Sequence, residues 1–560
     1  MNSLKLALGL CLLFFLNKAI SQSAGKLSFY TGHFSAQPNH PVSATDLTNS
    51  WQAIAWKGER VHHQLLFSSG FEEGLVTLER SELMRSDGQK IDPSHIQIST
   101  MDLVLTDHIG NLSSGCGIPT GLDTSLVFDR ITTNTKFRHS KHSNQAIWLS
   151  IDVPASTSPG LYKGTITAKG KTGIHQVPYE IEVSNQVLPP SDQWSYHLDL
   201  WQNPFATARY YQVEPWSQEH FDLLQPYMKK LASAGQKNIT ASIIYDPWNG
   251  QTYDIYQSMI QWTKTKQGTW RFDYTHFDNW VLFMKEMGIN GYINCYSMIP
   301  WNLKFYYFDE SDQQTKFIKA SPEETAYAEH WSAFLQDFAK HLKEKGWFEQ
   351  TTIAMDERPM EHMKAAIALI KAADQDFLIS LAGGYHPEIA DQLVDYSITL
   401  AEDMPEELLS QRKALGYKTT FYTCCTEAFP NTFTSSGYQE AVWLAWHSVQ
   451  RGFDGYLRWA YDSWNAQPNQ DARAGTWLAG DAWLIYPEQH SSIRFEKLIE
   501  GIQDAEKIKI VRKQLEESSR IEELHILNTH IASFTNKNII QQDIPKQLNL
   551  AKSILNAIKK

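Results

Sequence analysis

Two adjacent carboxylates, Asp356 and Glu357, stand near the end of the stretch TIAMDERP (352–359). An apolar run of β type leads into them, Arg358 and Pro359 follow, and a helical pattern begins after that. Acids side by side where a strand gives way to a loop suit general acid/base chemistry in an α/β barrel. Close like charges disfavour double ionisation, so one carboxyl of such a pair can stay protonated as a general acid while its neighbour stays anionic. The bland alternative is a surface ion pair with Arg358.

The elements that must position this pair follow from periodicity. From about Gly25 to Ser184 the pattern is β: AIWLSIDVP (146–154), GLYKGTITA (160–168) and QVPYEIEVS (176–184) alternate apolar and polar residues between Pro/Gly turns. They predict an all-β sandwich over 25–186 and a linker at 187–193, stiffened by Pro189 and Pro190. From Trp194 strands alternate with helices. Eight strand-like runs, at 194–201, 238–246, 290–298, 352–359, 377–385, 395–403, 418–426 and 454–464, each followed by a helix, predict a (β/α)8 TIM-like barrel over 194–515. The clearest helix opens on the capping box Ser321-Pro322-Glu323-Glu324. It carries an apolar stripe from Ala328 through Trp331, Leu335 and Phe338 to Leu342, and stops at Gly346. A doubly wound open sheet is the alternative, but no G-x-G-x-x-G follows the first strand. Residues 516–560 read as a short helical C-terminal extension.

Barrel sites lie at the C-terminal strand ends, so binding candidates are read there. Trp201 and Asn203 close the first strand, Tyr245 the second and Tyr296 the third, with Trp301 just beyond. Tyr385 and His386 close the fifth, Tyr422 the seventh, and Trp459, Tyr461 and Trp464 the eighth. Residues 459 and 461 share one strand parity and are expected to face the same way. Glu402 and Asp462 are spare carboxylates. Acids, aromatics and amides with few cations suit a neutral polyol over a phosphorylated ligand. The 19 Trp, 24 Tyr and 26 Phe add flat apolar faces of the kind on which sugar rings stack.

Bulk properties bound the rest. A length of 560 residues implies two or three domains, and a 42% hydrophobic content suffices for a sizeable core. A net charge of −12 argues against a nucleic-acid or anionic-membrane binder. Residues 1–21 read as a secretory signal peptide, with Lys5, an apolar run from Leu6 to Leu16 and a small-residue site ending at Ser21. That run is too short to span a membrane, so the chain is expected in the periplasm or the medium. His62-His63 and His139/His142 lack acidic or Cys company and read as surface histidines, with no metal site. Cys116, Cys295, Cys424 and Cys425 show no C-x-x-C spacing and read as small buried residues. No cofactor is implied.

Adjacency of the acids shapes the chemistry further. A conventional retaining glycosidase takes its acid and nucleophile from different strands, with carboxyls about 5 Å apart. Side chains alternate along a strand, so Asp356 and Glu357 can share one site only if the strand end bends. An anion that is not itself the nucleophile can instead steer one carried by the substrate. The 2-acetamido group of an N-acetylhexosamine plays that part, forming an oxazoline at its own anomeric carbon.

The sequence resembles glycoside hydrolase family 123, the retaining β-N-acetylgalactosaminidases. The carriers are the Asp356-Glu357 pair, GLYKGTITA, and the signature GDAWLIYP (480–487) followed by SIRFEKLIEGIQDAE (492–506). The resemblance implies an exo-acting enzyme releasing terminal β-linked N-acetylgalactosamine, with a glycan or glycoconjugate as partner. It also implies Glu357 as general acid/base and Asp356 as the group holding the acetamido N–H. The competing expectations are a two-carboxylate retaining glycosidase and a non-catalytic carbohydrate-binding protein.

Overall fold

The structure, a computed structural model, describes residues 25–558 apart from 71, 108–123, 172, 476 and 538. The leader and Cys116 lie outside the described residues.

The N-terminal third packs two sheets face to face. One runs in the order Leu47–Thr48, Lys26–Tyr30, Arg60–Ser68, Asn144–Asp152, Ile96–Asp107, Thr124–Ile131; the other in the order Lys136–His139, Gly74–Arg80, Gly160–Gly170, Gly173–Val187, Trp51–Lys57. Alternation puts Leu65, Phe67, Ile147 and Leu149 of the first against Tyr162, Ile166, Tyr179 and Ile181 of the second in one buried core.

The second part is a ring of eight short strands: β1 (His197–Leu200), β2 (Ile239–Ser242), β3 (Ile293–Tyr296), β4 (Thr351–Met355), β5 (Leu378–Ala382), β6 (Asp395–Thr399), β7 (Lys418–Tyr422) and β8 (Gly455–Arg458). Seven fall inside runs read from the sequence and β4 starts one residue before its run at 352–359, and seven neighbouring pairs are parallel ladders. The ring closes between β1 and β2 mainly through side-chain amides. Gln236 Oε1 accepts the Leu200 N–H at 2.9 Å and Gln202 Oε1 accepts the Thr240 N–H at 2.9 Å.

Two expectations are corrected here. No helix follows β5: residues 383–394 are too few for a helix and its two turns, and Pro387 interrupts them. Arg412, buried, donates instead to the carbonyls of Ala390 and Leu393, both at 2.7 Å, so those groups need no helix to be satisfied. The capping box forms only in part. The Ser321 N–H donates to Glu324 Oε2 at 3.1 Å as a separate turn, and the helix itself spans Thr325–Lys345 with Glu324 as its N-cap. Trp331, Leu335, Phe338 and Leu342 of its stripe are fully buried, and Gly346 ends it in the left-handed conformation at φ 70°.

Two hairpins ride on the loops after β2 and β3. They are Gln261–Lys264 with Trp270–Asp273, and Lys304–Asp309 with Gln314–Lys319. A parallel pairing of Thr263 with Phe308 joins them into one four-stranded sheet.

The two parts are bolted together by the C-terminal signature. Ser491–Ser492 adds a short strand to the sandwich sheet beside Arg130 and Ile131. In the helix that follows, Ile493–Glu517, Arg494 pairs with Asp129 at 3.0 Å and Lys507 with Glu59 at 2.6 Å, all four buried. Of the histidines expected at the surface, His142 is exposed and His63 partly buried, but His62 and His139 are buried. His62 meets Glu500 at 2.6 Å, and His139 lies beside Phe67. Two further helices, Ile521–Ile531 and Ile544–Ala557, complete the chain.

Candidate active site

Strand β4 ends at Met355, one residue before the acid pair, so strand alternation does not separate them. Asp356 and Glu357 both line a single cavity of about 300 Å³ at the C-terminal ends of the barrel strands. Its walls are mainly indole: Trp201, Trp248, Trp301, Trp459 and Trp477, with Tyr422 beside the acids.

The two carboxylates are held differently. Asp356 is buried; its Oδ2 accepts the Trp301 indole N–H at 2.9 Å and its Oδ1 accepts Arg358 Nε at 3.1 Å. The Arg358 guanidinium stacks 3.5 Å over the Trp301 ring, closing a three-residue clamp. Burial raises the Asp356 carboxyl above its ordinary range; Arg358 and the Trp301 N–H oppose that rise, while Glu357 adds to it. Glu357 is exposed and accepts the Tyr422 hydroxyl proton at Oε1. Burial first, and then the Glu357 charge, lifts the Tyr422 phenol well above its usual value.

Other carboxylates near the strand ends are committed elsewhere. Asp481, from GDAWLIYP, lines the cavity but is paired to Arg458 at 2.7 Å, both fully buried. Glu402 accepts the Tyr385 N–H at 2.9 Å and the Thr399 hydroxyl at 3.0 Å. Asp462 accepts the Asn203 N–H at 2.7 Å outside the cavity lining.

Of the residues chosen at or just beyond strand ends, Trp201, Trp301, Tyr422 and Trp459 line the cavity with the acid pair. The others do not. Tyr296 lies one layer down, its ring against Trp201 at 4.5 Å and Trp248 at 5.3 Å. Asn203 is buried and its amide reaches Ser463 Oγ at 3.2 Å. Tyr245 stands outside against Tyr306, and the Tyr385 and His386 backbones are tied to Glu402 and the Tyr396 hydroxyl. Tyr461 and Trp464 point into packing, the first donating to the Tyr227 carbonyl and the second to that of Ile485. Trp459 and Tyr461 diverge because β8 stops at Arg458, before the shared parity can apply.

Gln251 and Trp477 are wall residues that strand-end counting does not reach, because they sit deep in loops; Trp248, two residues past the end of the second predicted run, is within its reach and also lines the cavity. Trp477 depends on the sandwich. Leu105 trades backbone hydrogen bonds with Gln470 and Ala472 at 2.8 and 2.9 Å, and Asp107 accepts the Ala479 N–H at 2.6 Å. That clamp sets the course of the loop, and Trp477 then donates its indole N–H to the Gln251 carbonyl at 2.7 Å. Cys424 and Cys425 also line the cavity. Cys425 is disulfide-bonded, unlike the reading of a plain buried thiol, and Cys424 is free.

Asp462 yields a stability prediction. Burial pushes its carboxyl up to about 7, with the Asn203 N–H acting the other way. A folded-state value above the unfolded one, about 3.9, means that the proton stabilises the fold. This contribution is complete below about pH 4 and is lost as pH rises through about 7; it amounts to roughly 4 kcal/mol. Asp462→Asn is expected to fold and to flatten the decline of thermal midpoint between pH 5 and 8. An unchanged pH dependence in the variant would refute the assignment.

Among the described residues no helix is long and apolar enough to cross a membrane, and no cluster of His, Cys, Asp and Glu is arranged to hold a metal ion. Comparison with curated proteins gives no match. Among solved structures, a family 123 glycoside hydrolase from Clostridium perfringens, described for glycolipid glycan hydrolysis, superposes with a TM-score of 0.85 at 28% identity over 95% of this chain and 98% of its own. A β-glucuronidase from Parabacteroides merdae gives a TM-score of only 0.29 at 9% identity, over 79% of this chain and 52% of its own. The models of the glycoside hydrolase 123 N-terminal and catalytic domains match residues 33–170 and 201–511. With two carboxylates in an indole-walled cavity and both domain models matched in order, the chain belongs to glycoside hydrolase family 123, the β-N-acetylgalactosaminidase family.

Proposed function

We propose that the enzyme releases terminal β-linked N-acetylgalactosamine from glycans or glycoconjugates, with retention, by substrate-assisted catalysis. One observation carries this reading: the cavity offers two adjacent carboxylates and, among its described lining residues, no third that is uncommitted. The nucleophile is then the substrate's own acetamido oxygen.

Each residue has a defined task. Asp356, anionic and clamped by Trp301 and Arg358, accepts the acetamido N–H and aims the carbonyl oxygen at the anomeric carbon. As that C–O bond forms and the glycosidic C–O bond breaks, Glu357 gives its proton to the departing oxygen. The positive charge on the oxazolinium ring is balanced by Asp356 in a site where indole walls keep the dielectric low. Glu357 then takes a proton from water attacking the same carbon, which opens the ring and restores the β configuration. Two inversions give net retention. The galacto preference is inferred from family membership, and the Clostridium perfringens relative supports a glycolipid glycan as one natural substrate. Export is supported by the oxidised Cys425, since disulfides persist outside the reducing cytosol.

A galacto-configured thiazoline, which mimics the bicyclic intermediate, is expected to inhibit competitively, and the 2-hydroxy analogue of the substrate is expected not to turn over. Ready hydrolysis of that analogue would rule out the mechanism. The clamp adds a pH prediction. Asp356 must be ionised to act, its carboxyl is raised, and Arg358 limits the rise. Arg358→Gln is therefore expected to move the acidic limb of kcat/KM to higher pH. A limb that stays in place would show that another group sets it.

A further inference from the structure

Beyond the cavity mouth the hairpin Lys304–Asp309/Gln314–Lys319 presents an unusual face. Tyr306 and Phe317 are paired across its strands with ring centroids 5.5 Å apart, and Tyr245 continues the row 5.1 Å from Tyr306. Phe317 is 49% and Tyr245 36% exposed, a large apolar area to leave in water. Directly opposed residues share a face, so Lys304 and Lys319, also cross-strand partners, flank the same aromatic row. Lys304 Nζ lies 4.9 Å over the Phe317 ring. Like charges directly opposed destabilise a sheet, and neither lysine has a carboxylate partner among the described residues. Lys316, on the other face, shows the contrast: Asp309 and Asp312 both neutralise it.

The row stands on the same two loops as part of the cavity wall. Tyr245 shares its loop with the wall residue Trp248, and Trp301, which clamps Asp356, lies five residues before Tyr306. Five residues span at most about 17 Å. The two loops are also tied by Asn302 Nδ2 donating to Asn249 Oδ1 at 3.3 Å. An apolar row with two unneutralised cations, in a chain of net charge −12, fits a sugar chain that carries negative charge.

We propose that this face binds the leaving part of the substrate, the sugars beyond the scissile bond, and selects an acidic sugar there through Lys304 and Lys319. The proposal rests on the hydrolase reading above and adds its aglycone class. Tyr306 and Phe317 stack on sugar faces, and the lysines meet the anionic group at the end of the row. A monosaccharide glycoside with a small aryl leaving group never reaches them.

The test compares kcat/KM for an aryl β-N-acetylgalactosaminide with two trisaccharides that carry the same terminal sugar, one on neutral galactosyl-glucose and one on galactosyl-glucuronate. For the wild type the acidic trisaccharide is expected to be preferred, with the preference fading in high salt. Tyr306→Ala/Phe317→Ala is expected to lose about tenfold on both trisaccharides and less than about twofold on the aryl glycoside. Lys304→Gln/Lys319→Gln is expected to lose about tenfold on the acidic trisaccharide alone. Equal losses on all three substrates, or a wild-type preference for the neutral trisaccharide, overturn the proposal. Titration calorimetry with the disaccharide portions, galactosyl-glucose and galactosyl-glucuronate, keeps the test independent of turnover. No aryl hydrolysis with intact, lysine-dependent binding overturns the hydrolase reading and not the face; aryl hydrolysis without such binding does the reverse.

Discussion

Asp356→Asn is expected to lower kcat/KM by about 10³-fold, and to do so by the same factor whatever the leaving group. The reason lies in where Asp356 sits. It is buried against Trp301 and Arg358, in a site where its charge is poorly screened and acts strongly on a cation forming above it. Asparagine keeps the shape but loses the charge that balances the oxazolinium ion. It also presents an NH₂ group where two donors, the Trp301 indole and Arg358 Nε, need acceptors, so the amide cannot satisfy both and still receive the acetamido N–H. Because the lost interaction belongs to ring closure, aryl glycosides with acidic and with weakly acidic phenols suffer alike. The measurement is kcat/KM across such a series, with affinity for the thiazoline falling in parallel and the thermal midpoint as a check on folding. A loss confined to poor leaving groups would place Asp356 in proton transfer instead.

The acid pair and the barrel that carries it were legible before the structure. Asp356 and Glu357 announce themselves by type, and the barrel by eight strand-like runs at helix-length spacing, although its buried strands also carry polar residues such as His197, Asp199, Asn294 and Asp395. What linear reading cannot supply is direction. Trp459, Tyr461 and Trp464 lie within six residues, yet only the first reaches the cavity, since the chain leaves β8 at Arg458 and turns with each residue afterwards. Tyr296 ends β3 as expected but lies beneath Trp201 and Trp248. Trp248 and Trp477, by contrast, come from long loops whose paths are set by distant contacts. Trp477 is the clearest case: its loop is placed by Leu105 and Asp107 of the sandwich, more than 300 residues earlier in the chain. The hairpins were missed for a related reason. Trp262 and Phe305 are buried against the helix Thr325–Lys345, so tertiary packing decides their strand state more than local pattern does.

Glu357→Gln should behave in the opposite way to Asp356→Asn, its effect growing with the basicity of the leaving group. Glu357 is exposed at the cavity, where the proposed mechanism needs contact with the leaving oxygen and with incoming water, and Tyr422 fixes one of its oxygens. Glutamine keeps the contact with Tyr422 but has no proton to give. A strongly acidic phenol leaves as its anion without help, so kcat/KM for such a glycoside is expected to fall by less than about tenfold. A sugar alkoxide cannot leave unprotonated, and there the loss is expected to reach about 10³- to 10⁴-fold, the usual worth of a positioned general acid. The readout is the slope of log kcat/KM against leaving-group pKa, steep in Glu357→Gln and shallow in the wild type. The same variant also loses the base for the second step. With the acidic phenol, kcat should then fall further than kcat/KM, as the oxazoline becomes the species that accumulates. Parallel slopes in variant and wild type would remove Glu357 from the proton path and reopen the search for the acid at Asp356, whose raised carboxyl is the nearest alternative.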